Sequence, residues 1–328
     1  MNQFTMYENP PSEITCKSWC IYSLKELQVI CGANQNMQLQ IASLTKMMTY
    51  IVVLRFCKKH QIDIDNLQFV VSRNASAILG TSSGLKVGDQ ISIRDLLFCL
   101  MLPSGNDAAL CLAENIGSLL YKMQKGLVKS AYVIRNLNIL NIQNESTAIQ
   151  SCSVMSFVNE MNNMAQELGL NETKFSNPHG LHDKVNVSSA KDMAILTREI
   201  MKEDKFTLQL CQAKSYQFEV KNQIDNTCRQ INLVNTNKLL EKPGYFGMKT
   251  GYTNSAGGCL ASLFKQYDKI MAQTVEVIIV VLKSDSMENR FVDTQLLVEW
   301  YFRQLNHKIK ERCKFYEQSF KQMASLPS

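Results

Sequence analysis

Three short polar strings stand in a fixed order along this chain and are widely separated: Ser43–Lys46, Ser104–Asn106 and Lys249–Gly251, which read SLTK, SGN and KTG. Together they supply a hydroxyl beside an amine, a second hydroxyl with an amide, and a cation beside a third hydroxyl. Acyl transfer through a serine ester needs such groups, because the nucleophile must lose a proton and the developing negative charge must be stabilised. A fold that uses all three strings must therefore bring distant segments to one place.

The first string is distinguished by its context, because the Ser-x-x-Lys pattern also occurs at Ser188–Lys191 and Ser262–Lys265. After Ser43 the apolar residues follow helical spacing, which predicts a buried helix that begins there and places Lys46 within reach of the serine hydroxyl. The string at Ser262 lies in a predicted strand, where positions i and i+3 point to opposite faces. The string at Ser188 opens another helix, where Ser189 with Asp192 three residues on is typical of a capping box.

The hydrophobic pattern predicts an α/β (α+β) fold. Apolar stretches near both ends of the chain indicate strands, and the pattern between them, as far as about Cys211, is mainly helical. We therefore expect a mainly antiparallel sheet covered by helices, with a helical subdomain inserted between its first and later strands. The predicted strands are Trp19–Tyr22, Leu27–Ile30, Tyr216–Val220, Gln230–Leu233, Gly258–Phe264 and Val275–Leu282, and a closing helix runs from about Asp293 to Leu305.

Composition argues against several kinds of partner. The 328 residues carry a net charge of +6 with scattered basic residues, which does not indicate a nucleic-acid partner. The 11 cysteines and 4 histidines show no metal-binding or disulfide spacing. We expect no metal, and we expect free buried thiols in the apolar segments. The thiols in question are those of Cys57, Cys99, Cys111 and Cys259.

The first residues show no targeting pattern. Met1–Pro11 lacks a basic region followed by an apolar run, and the longest apolar run, near Val275–Leu282, is strand-sized. A thiol-rich composition is typical of a reducing compartment. We therefore expect no signal peptide and no transmembrane segment, and a cytoplasmic or otherwise soluble protein.

The three strings and their surroundings resemble a known family. Over roughly Ser18 to Phe302 the chain is similar to the serine-type D-alanyl-D-alanine carboxypeptidases, the low-molecular-mass penicillin-binding proteins of peptidase family S11. The resemblance implies a β-lactamase/transpeptidase-like fold, no cofactor, peptide substrates ending in D-Ala-D-Ala and inhibition by β-lactams. The segments that carry it are Ala42–Thr49, Leu85–Asp89, Asp95–Leu97, Ser104–Ala108, Asn177–Leu181, Asn235–Leu240 and Lys249–Thr253.

The resemblance also suggests a division of the chain. Residues 1–17 form an N-terminal extension, residues 18–305 the catalytic domain, and residues 306–328 a tail that we expect to be a solvated helix. A segment from about Ser118 to Cys152 departs from the family pattern and is interpreted as a surface insertion. Family members often carry a second, β-rich domain, and the residues after Phe302 are too few to build one.

The family's mechanism assigns four catalytic residues. Ser43 attacks the carbonyl of the penultimate residue and Lys46 accepts its proton, because burial among apolar neighbours lowers the pKa of an amine. Ser104 relays a proton toward the departing amine. Asn106 binds the acyl side of the substrate and helps to hold Lys46.

The third string is assigned to substrate binding. Lys249 and Thr250 face the terminal carboxylate of the substrate. The oxyanion is received by the backbone N–H groups of Ser43 and of Tyr252, the residue that follows Gly251.

Two further residues carry open alternatives. Arg290 stands where the family has an additional carboxylate-binding arginine, but it reads equally well as a surface arginine paired with Asp293 or Glu288. By resemblance, His179 lines the site near the deacylation water and is oriented by Asp192. A histidine that satisfies backbone groups in a turn is the alternative.

Three other functions are alternatives for this sequence. A serine β-lactamase needs a second base, and Glu167 offers one only superficially, because it lies on the polar stripe of its helix and should point to water. A non-catalytic protein on this fold would lack a reason to keep every polar group of the three strings. A hydrolase of other D-amino-acid peptides is the third alternative.

Overall fold

The computed structural model describes residues 9–127, 138–142, 147–269 and 271–324. Its main element is a five-stranded sheet in the order β10-β11-β12-β1-β2, and each neighbouring pair is antiparallel. The antiparallel sheet predicted from the sequence is confirmed. The strands are β1 (Ser18–Ser23), β2 (Gln28–Ala33), β10 (Tyr245–Thr253), β11 (Gly257–Asp268) and β12 (Gln273–Ser284).

The main sheet is buried on both faces. In β1, Trp19 and Ile21 pack into a core with the closing helix α8 (Asn289–Ala324), whereas Cys20 and Tyr22 belong to a larger core on the other face. Successive side chains of a strand point to opposite faces, so one strand serves both cores. The larger core includes much of helix α1 (Thr45–His60), whose first turn contains Lys46 of the first polar string.

Seven more helices are described before α8. Ser72, Ser92 and Ser189 accept hydrogen bonds from backbone amides three residues on, and so cap α2, α3 and α6. The cap predicted near Ser188 is therefore confirmed. The helices are α1 (Thr45–His60), α2 (Arg73–Ala77), α3 (Ile93–Met101), α4 (Asn106–Gln124), α5 (Thr147–Glu167), α6 (Ala190–Met201) and α7 (Lys205–Gln212).

A second five-stranded sheet takes three of its strands from the part of the chain predicted to be mainly helical. Its order is β6-β4-β5-β8-β9, and β3 (Leu39–Gln40) pairs separately with β7 (Val187–Ser188). The strands predicted at 216–220 and 230–233 belong to this second sheet, so the inserted subdomain is mixed rather than helical. The strands are β4 (Gln68–Val70), β5 (Asp89–Ser92), β6 (Ile139–Leu140), β8 (Ser215–Asn222) and β9 (Cys228–Val234).

The predicted boundaries differ from those of the structure in two places. The segment from Ser118 to Cys152 includes the last part of α4 and the first part of α5, and only residues 125–146 lie between the two helices. The closing helix begins at Asn289 and continues to Ala324, through most of the predicted tail. No helix in the described ranges combines the length and the apolar character that crossing a bilayer requires.

Candidate active site

Ser43 lies in a single 3₁₀ turn, Ala42–Leu44, directly before α1. Two glycines let other segments pack against the backbone of this turn. A Cβ on Gly180, which has a φ of +86°, would lie 2.0 Å from the carbonyl oxygen of Ala42, and a Cβ on Gly251 would lie 3.0 Å from the nitrogen of Ser43. The turn that contains Gly180 and strand β10 therefore meet at the serine.

Lys46 lies one helical turn after Ser43 and is fully buried. Its Nζ donates to Ser43 Oγ at 3.0 Å, to Asn106 Oδ1 at 2.7 Å and to the carbonyl oxygen of His179 at 2.6 Å. Burial lowers the pKa of Lys46 to about 7, and the negative charge of Asp107 acts in the opposite direction. At neutral pH a substantial fraction of this amine is therefore unprotonated beside the serine hydroxyl.

The second string connects α3 to α4. Ser104 adopts a φ of +68°, and its buried Oγ has no hydrogen-bond partner among the described residues. Asn106 begins α4, donates from Nδ2 to the carbonyl oxygen of Leu79 at 2.7 Å and accepts from Lys46 at Oδ1. A buried hydroxyl without a partner is costly, so Ser104 is suited to bind a group that comes from a ligand.

The third string lies on β10, at the edge of the main sheet. The Nζ of Lys249 donates to the carbonyl oxygen of Thr250 at 2.9 Å, and its side chain is buried. Burial and the charges of Lys46 and Arg290 lower the pKa of Lys249 well below its ordinary value. A carboxylate placed here would reverse that shift, because an opposite charge favours the ammonium form.

Arg290 is not a surface residue. It is 5% exposed, and its Nη1 donates to the carbonyl oxygen of Gly251 at 2.8 Å. Glu288 pairs instead with Lys238, and Asp293 accepts hydrogen bonds from the N-terminal segment. The surface ion pair considered from the sequence is therefore wrong, and the buried guanidinium adds positive charge behind β10.

His179 contributes its backbone as well as its ring. Its carbonyl oxygen accepts from Lys46, and its Nδ1 accepts from the amide of Leu181 at 3.1 Å. Burial and the charge of Lys46 lower the pKa of His179 to about 3, so the ring is neutral. The Asp192 carboxylate binds the Thr173 hydroxyl at 2.7 Å, and the expectation that it orients His179 is wrong.

Sequence reasoning missed one residue that holds the third string. The hydroxyls of Thr236 and Thr250 lie 2.7 Å apart, and Thr236 also bonds the carbonyl oxygen of Leu102 through both its amide and its hydroxyl. Thr236 thus links β10 to the end of α3. In the sequence, Asn235–Leu240 resembles the family but carries no motif that indicates a role.

Two predictions about groups outside the site are confirmed. Glu167 is exposed at the end of α5, as the polar stripe of its helix predicted. The four cysteines predicted to be buried are buried, and desolvation raises the pKa of each thiol. They are Cys57, Cys99, Cys111 and Cys259.

Tyr252 follows Gly251 on the edge strand and is 39% exposed. With it, the structure brings every residue of the three strings into one region, where α1, α4, the turn containing His179 and β10 meet. The arrangement places the Lys46 amine, with its near-neutral pKa, beside the Ser43 hydroxyl. It adds the Ser104 hydroxyl, which has no partner among the described residues, and the positive charge of the third string on β10. Such a site can activate a serine and hold an anionic group nearby.

Comparison with known proteins agrees with this geometry. The model of the D-alanyl-D-alanine carboxypeptidase family S11 matches residues 4–126 and 146–286. The carboxypeptidase DacF of Bacillus subtilis is 29% identical over 84% of this chain and 59% of its own length, and DacD of Escherichia coli is 30% identical over 88% and 64%. The chain thus spans about three fifths of the length of these curated relatives.

The fold is shared with solved structures. The crystal structure of the Streptomyces K15 DD-transpeptidase superposes with a TM-score of 0.74 at 24% identity, over 90% of this chain and 100% of the other. The D-alanyl-D-alanine carboxypeptidase DacD from Francisella tularensis gives 0.69 at 23% identity, over 91% and 73%. The predicted fold class is therefore confirmed, and the family match shows that this chain belongs to the D-alanyl-D-alanine carboxypeptidases of peptidase family S11.

Proposed function

We propose that this protein removes the terminal D-alanine from peptides ending in D-Ala-D-Ala, through an acyl-enzyme on Ser43. One observation carries the proposal: the Nζ of the buried Lys46, whose pKa is lowered to about 7, lies 3.0 Å from the Ser43 hydroxyl oxygen, so that its neutral form can accept the hydroxyl proton. An amine in this state can accept a proton at neutral pH, which a lysine of ordinary pKa cannot do.

The first step forms the ester. Ser43 Oγ attacks the carbonyl carbon of the penultimate residue while its proton passes to the neutral Nζ of Lys46. The carbonyl oxygen becomes an oxyanion, which the backbone N–H groups of Ser43 and Tyr252 would stabilise. The close approach of Gly251 to the Ser43 nitrogen supports this assignment, because it brings the next residue of β10 to the same place.

The second step breaks the peptide bond. The proton on Lys46 passes to the nitrogen of the departing D-alanine, and Ser104 relays it. The hydroxyl of Ser104 is buried without a partner among the described residues, so it is available for this hydrogen bond. The C–N bond then breaks and leaves an acyl group on Ser43. Water completes the cycle, with Lys46 accepting its proton and Ser43 leaving as the alcohol.

The substrate carboxylate would lie against Lys249 and Thr250, with Arg290 behind them. Two cationic groups and a hydroxyl provide strong, charge-assisted hydrogen bonds for an anion. Asn106 would bind the acyl side of the peptide from the opposite wall. His179, whose ring is neutral, acts in this scheme through the carbonyl oxygen that holds Lys46.

The test is release of D-alanine from a diacylated Lys-D-Ala-D-Ala peptide, with the L-Ala-L-Ala peptide as control. We expect release from the first peptide only, and no release from the Ser43→Ala variant. A fluorescent penicillin should label the wild-type protein and not Ser43→Ala, and labelling of that variant would refute the role of Ser43. A chromogenic cephalosporin should give a long-lived adduct, whereas fast turnover would indicate a β-lactamase.

A further inference from the structure

Asp107 lies directly after the second string and carries a buried carboxylate that the mechanism above does not use. It is 1% exposed. Its Oδ2 accepts from the Ser82 hydroxyl at 2.6 Å, from the Ser83 amide at 2.8 Å and from the Leu85 amide at 3.2 Å. Its Oδ1 accepts from the amide of Ala108 at 2.9 Å and also from that of Ser83. The carboxylate thus ties the segment Leu79–Leu85 to the first turn of α4.

The same segment holds both residues of the second string. The carbonyl oxygen of Thr81 accepts from the Asn106 amide at 2.7 Å, and the Thr81 hydroxyl donates to the carbonyl oxygen of Ser104 at 2.5 Å. The carbonyl oxygen of Leu79 accepts from Nδ2 of Asn106 at 2.7 Å. Because Nδ2 is held there, Oδ1 is the atom that faces Lys46.

There is no room for the segment to shift without cost. A Cβ on Gly80, where φ is +93°, would lie 2.6 Å from Nδ2 of Asn106. A Cβ on Gly105 would lie 2.3 Å from the Ser83 hydroxyl and 2.5 Å from Oδ1 of Asp107. At both glycines a side chain from the opposite segment therefore packs directly against the glycine backbone, where any larger residue would clash.

We infer that Asp107 is a positioning residue for catalysis: its carboxylate holds the Leu79–Leu85 segment so that Asn106 presents Oδ1 to the Lys46 amine. The inference rests on the proposed function. Asp107 touches neither the substrate nor Ser43 in this scheme, and acts through Asn106 and Lys46.

The charge of Asp107 has a second consequence for Lys46. Three titratable groups lie close enough to the Lys46 amine to interact with it electrostatically: Asp107 from α4, His179 from its turn and Lys249 from β10. His179 is neutral, and Asp107 supplies the negative charge that raises the pKa of Lys46 against the effect of burial. Without that charge the pKa of Lys46 would fall further.

The remaining groups near Asp107 do not compensate for its loss. The thiols of Cys99 and Cys111 lie close enough for its charge to act on them. Burial raises the pKa of both well above its ordinary value, so they stay neutral at the pH of the assay. Neutralising Asp107 should therefore change the hydrogen bonding of its segment and the charge felt by Lys46 together.

The experiment measures the rate of acylation by a fluorescent penicillin against pH, per labelled site, so that unfolded protein does not count. Asp107→Asn should lower the plateau rate about tenfold and move the midpoint of the rise to lower pH. Thr81→Val keeps the charge and removes one hydrogen bond of the segment, so it should lower the plateau and leave the midpoint in place. Asp225→Asn, an exposed turn carboxylate bonded to Thr227, should change neither.

An Asp107→Asn protein with the wild-type plateau and midpoint would overturn the inference, even if it melts at a lower temperature. If this variant does not accumulate in folded form, Ser82→Ala takes its place. It removes one donor to the carboxylate, and we expect a plateau about threefold lower with an unmoved midpoint, whereas a wild-type plateau would overturn the inference. Absence of acylation in the wild-type protein would instead overturn the proposed function.

Discussion

Two lysines of the site, Lys46 and Lys249, are both buried and differ in what surrounds their amines. Lys46 reaches three neutral oxygens, contributed by Ser43, Asn106 and His179. Lys249 reaches one carbonyl oxygen within its own strand, and the cations Lys46 and Arg290 lie near it. Burial lowers the pKa of both amines, but only the first has a hydroxyl to deprotonate.

The surroundings of each amine suit one residue type to two roles. An amine bonded to neutral acceptors, with a pKa of about 7, can gain and lose a proton during a reaction. An amine that lacks an anionic partner and lies near other cations is stabilised most in its ammonium form when an anion binds beside it. The first arrangement suits a base, and the second suits a binding site for the carboxylate of a substrate.

The largest expected effect is that of Lys46→Ala. It removes the proton acceptor, so we expect acylation by a penicillin to slow by about 10²- to 10⁴-fold. Stopped-flow or gel-based labelling measures the rate, and Lys59→Ala, at an exposed position on the same helix, is the control. A variant that acylates at close to the wild-type rate would show that the two lysines do not differ in the way described.

Lys249→Gln should give the next largest effect, confined to substrates with a terminal carboxylate. Loss of one charge-assisted hydrogen bond lowers kcat/KM about 10- to 100-fold for the D-Ala-D-Ala peptide. The same peptide with a C-terminal carboxamide should be affected much less. Equal losses with both peptides would contradict the assignment of Lys249 to the carboxylate.

The pH dependence separates the two lysines without mutation. Lys46 acts as the neutral amine, so the acylation rate should rise with pH through about 7 and be about fivefold lower at pH 6 than at pH 7. Lys249 binds as the cation, so KM for the carboxylate peptide should rise at alkaline pH while KM for the carboxamide peptide stays constant. A rate that does not change between pH 6 and pH 7 would argue against Lys46 as the base.

The smallest effect is expected at Glu167. Glu167→Gln should change neither D-alanine release nor the lifetime of the penicillin adduct by more than about twofold, since exposed substitutions have small effects. The lifetime is followed by the loss of fluorescent label over time. A much longer lifetime of the adduct in this variant would mean that Glu167 takes part in deacylation.

Much of the fold could be predicted from local patterns, and the failures have a common cause. In β1, β2, β11 and β12, apolar residues alternate with polar ones or form a continuous run of strand length, so these segments could be predicted as strands. The short strands β4 and β5 carry too few residues for a period to show. Two strands of the second sheet, β8 and β9, were predicted, but the pairing of β8 with β5 was not, because these partners lie far apart in the chain and periodicity does not show long-range pairing.

The site shows the same division. The spacing of Ser43 and Lys46 on one helical turn is a local property, and sequence reasoning identified it. One of the two alternatives for Arg290, the surface ion pair, was wrong, because nearby charges in sequence suggested a pair that the fold does not make. The contact between Asp192 and His179, which the resemblance implied, was also wrong, because Asp192 binds Thr173 instead. Thr236 was noticed without a role, since its contact with Thr250 is set by how β10 packs on the end of α3.

The amino-acid sequence by itself determined the family, because the three strings and their surroundings resemble it. It also determined the antiparallel character of the main sheet, because helical and strand periods are short-range. Only the tertiary structure decided what surrounds each of the two amines. The acceptors around Lys46 come from α4 and from the turn of His179, and the cations around Lys249 come from α1 and α8. Burial and neighbouring charge set the pKa of an amine, and both exist only once the chain has folded.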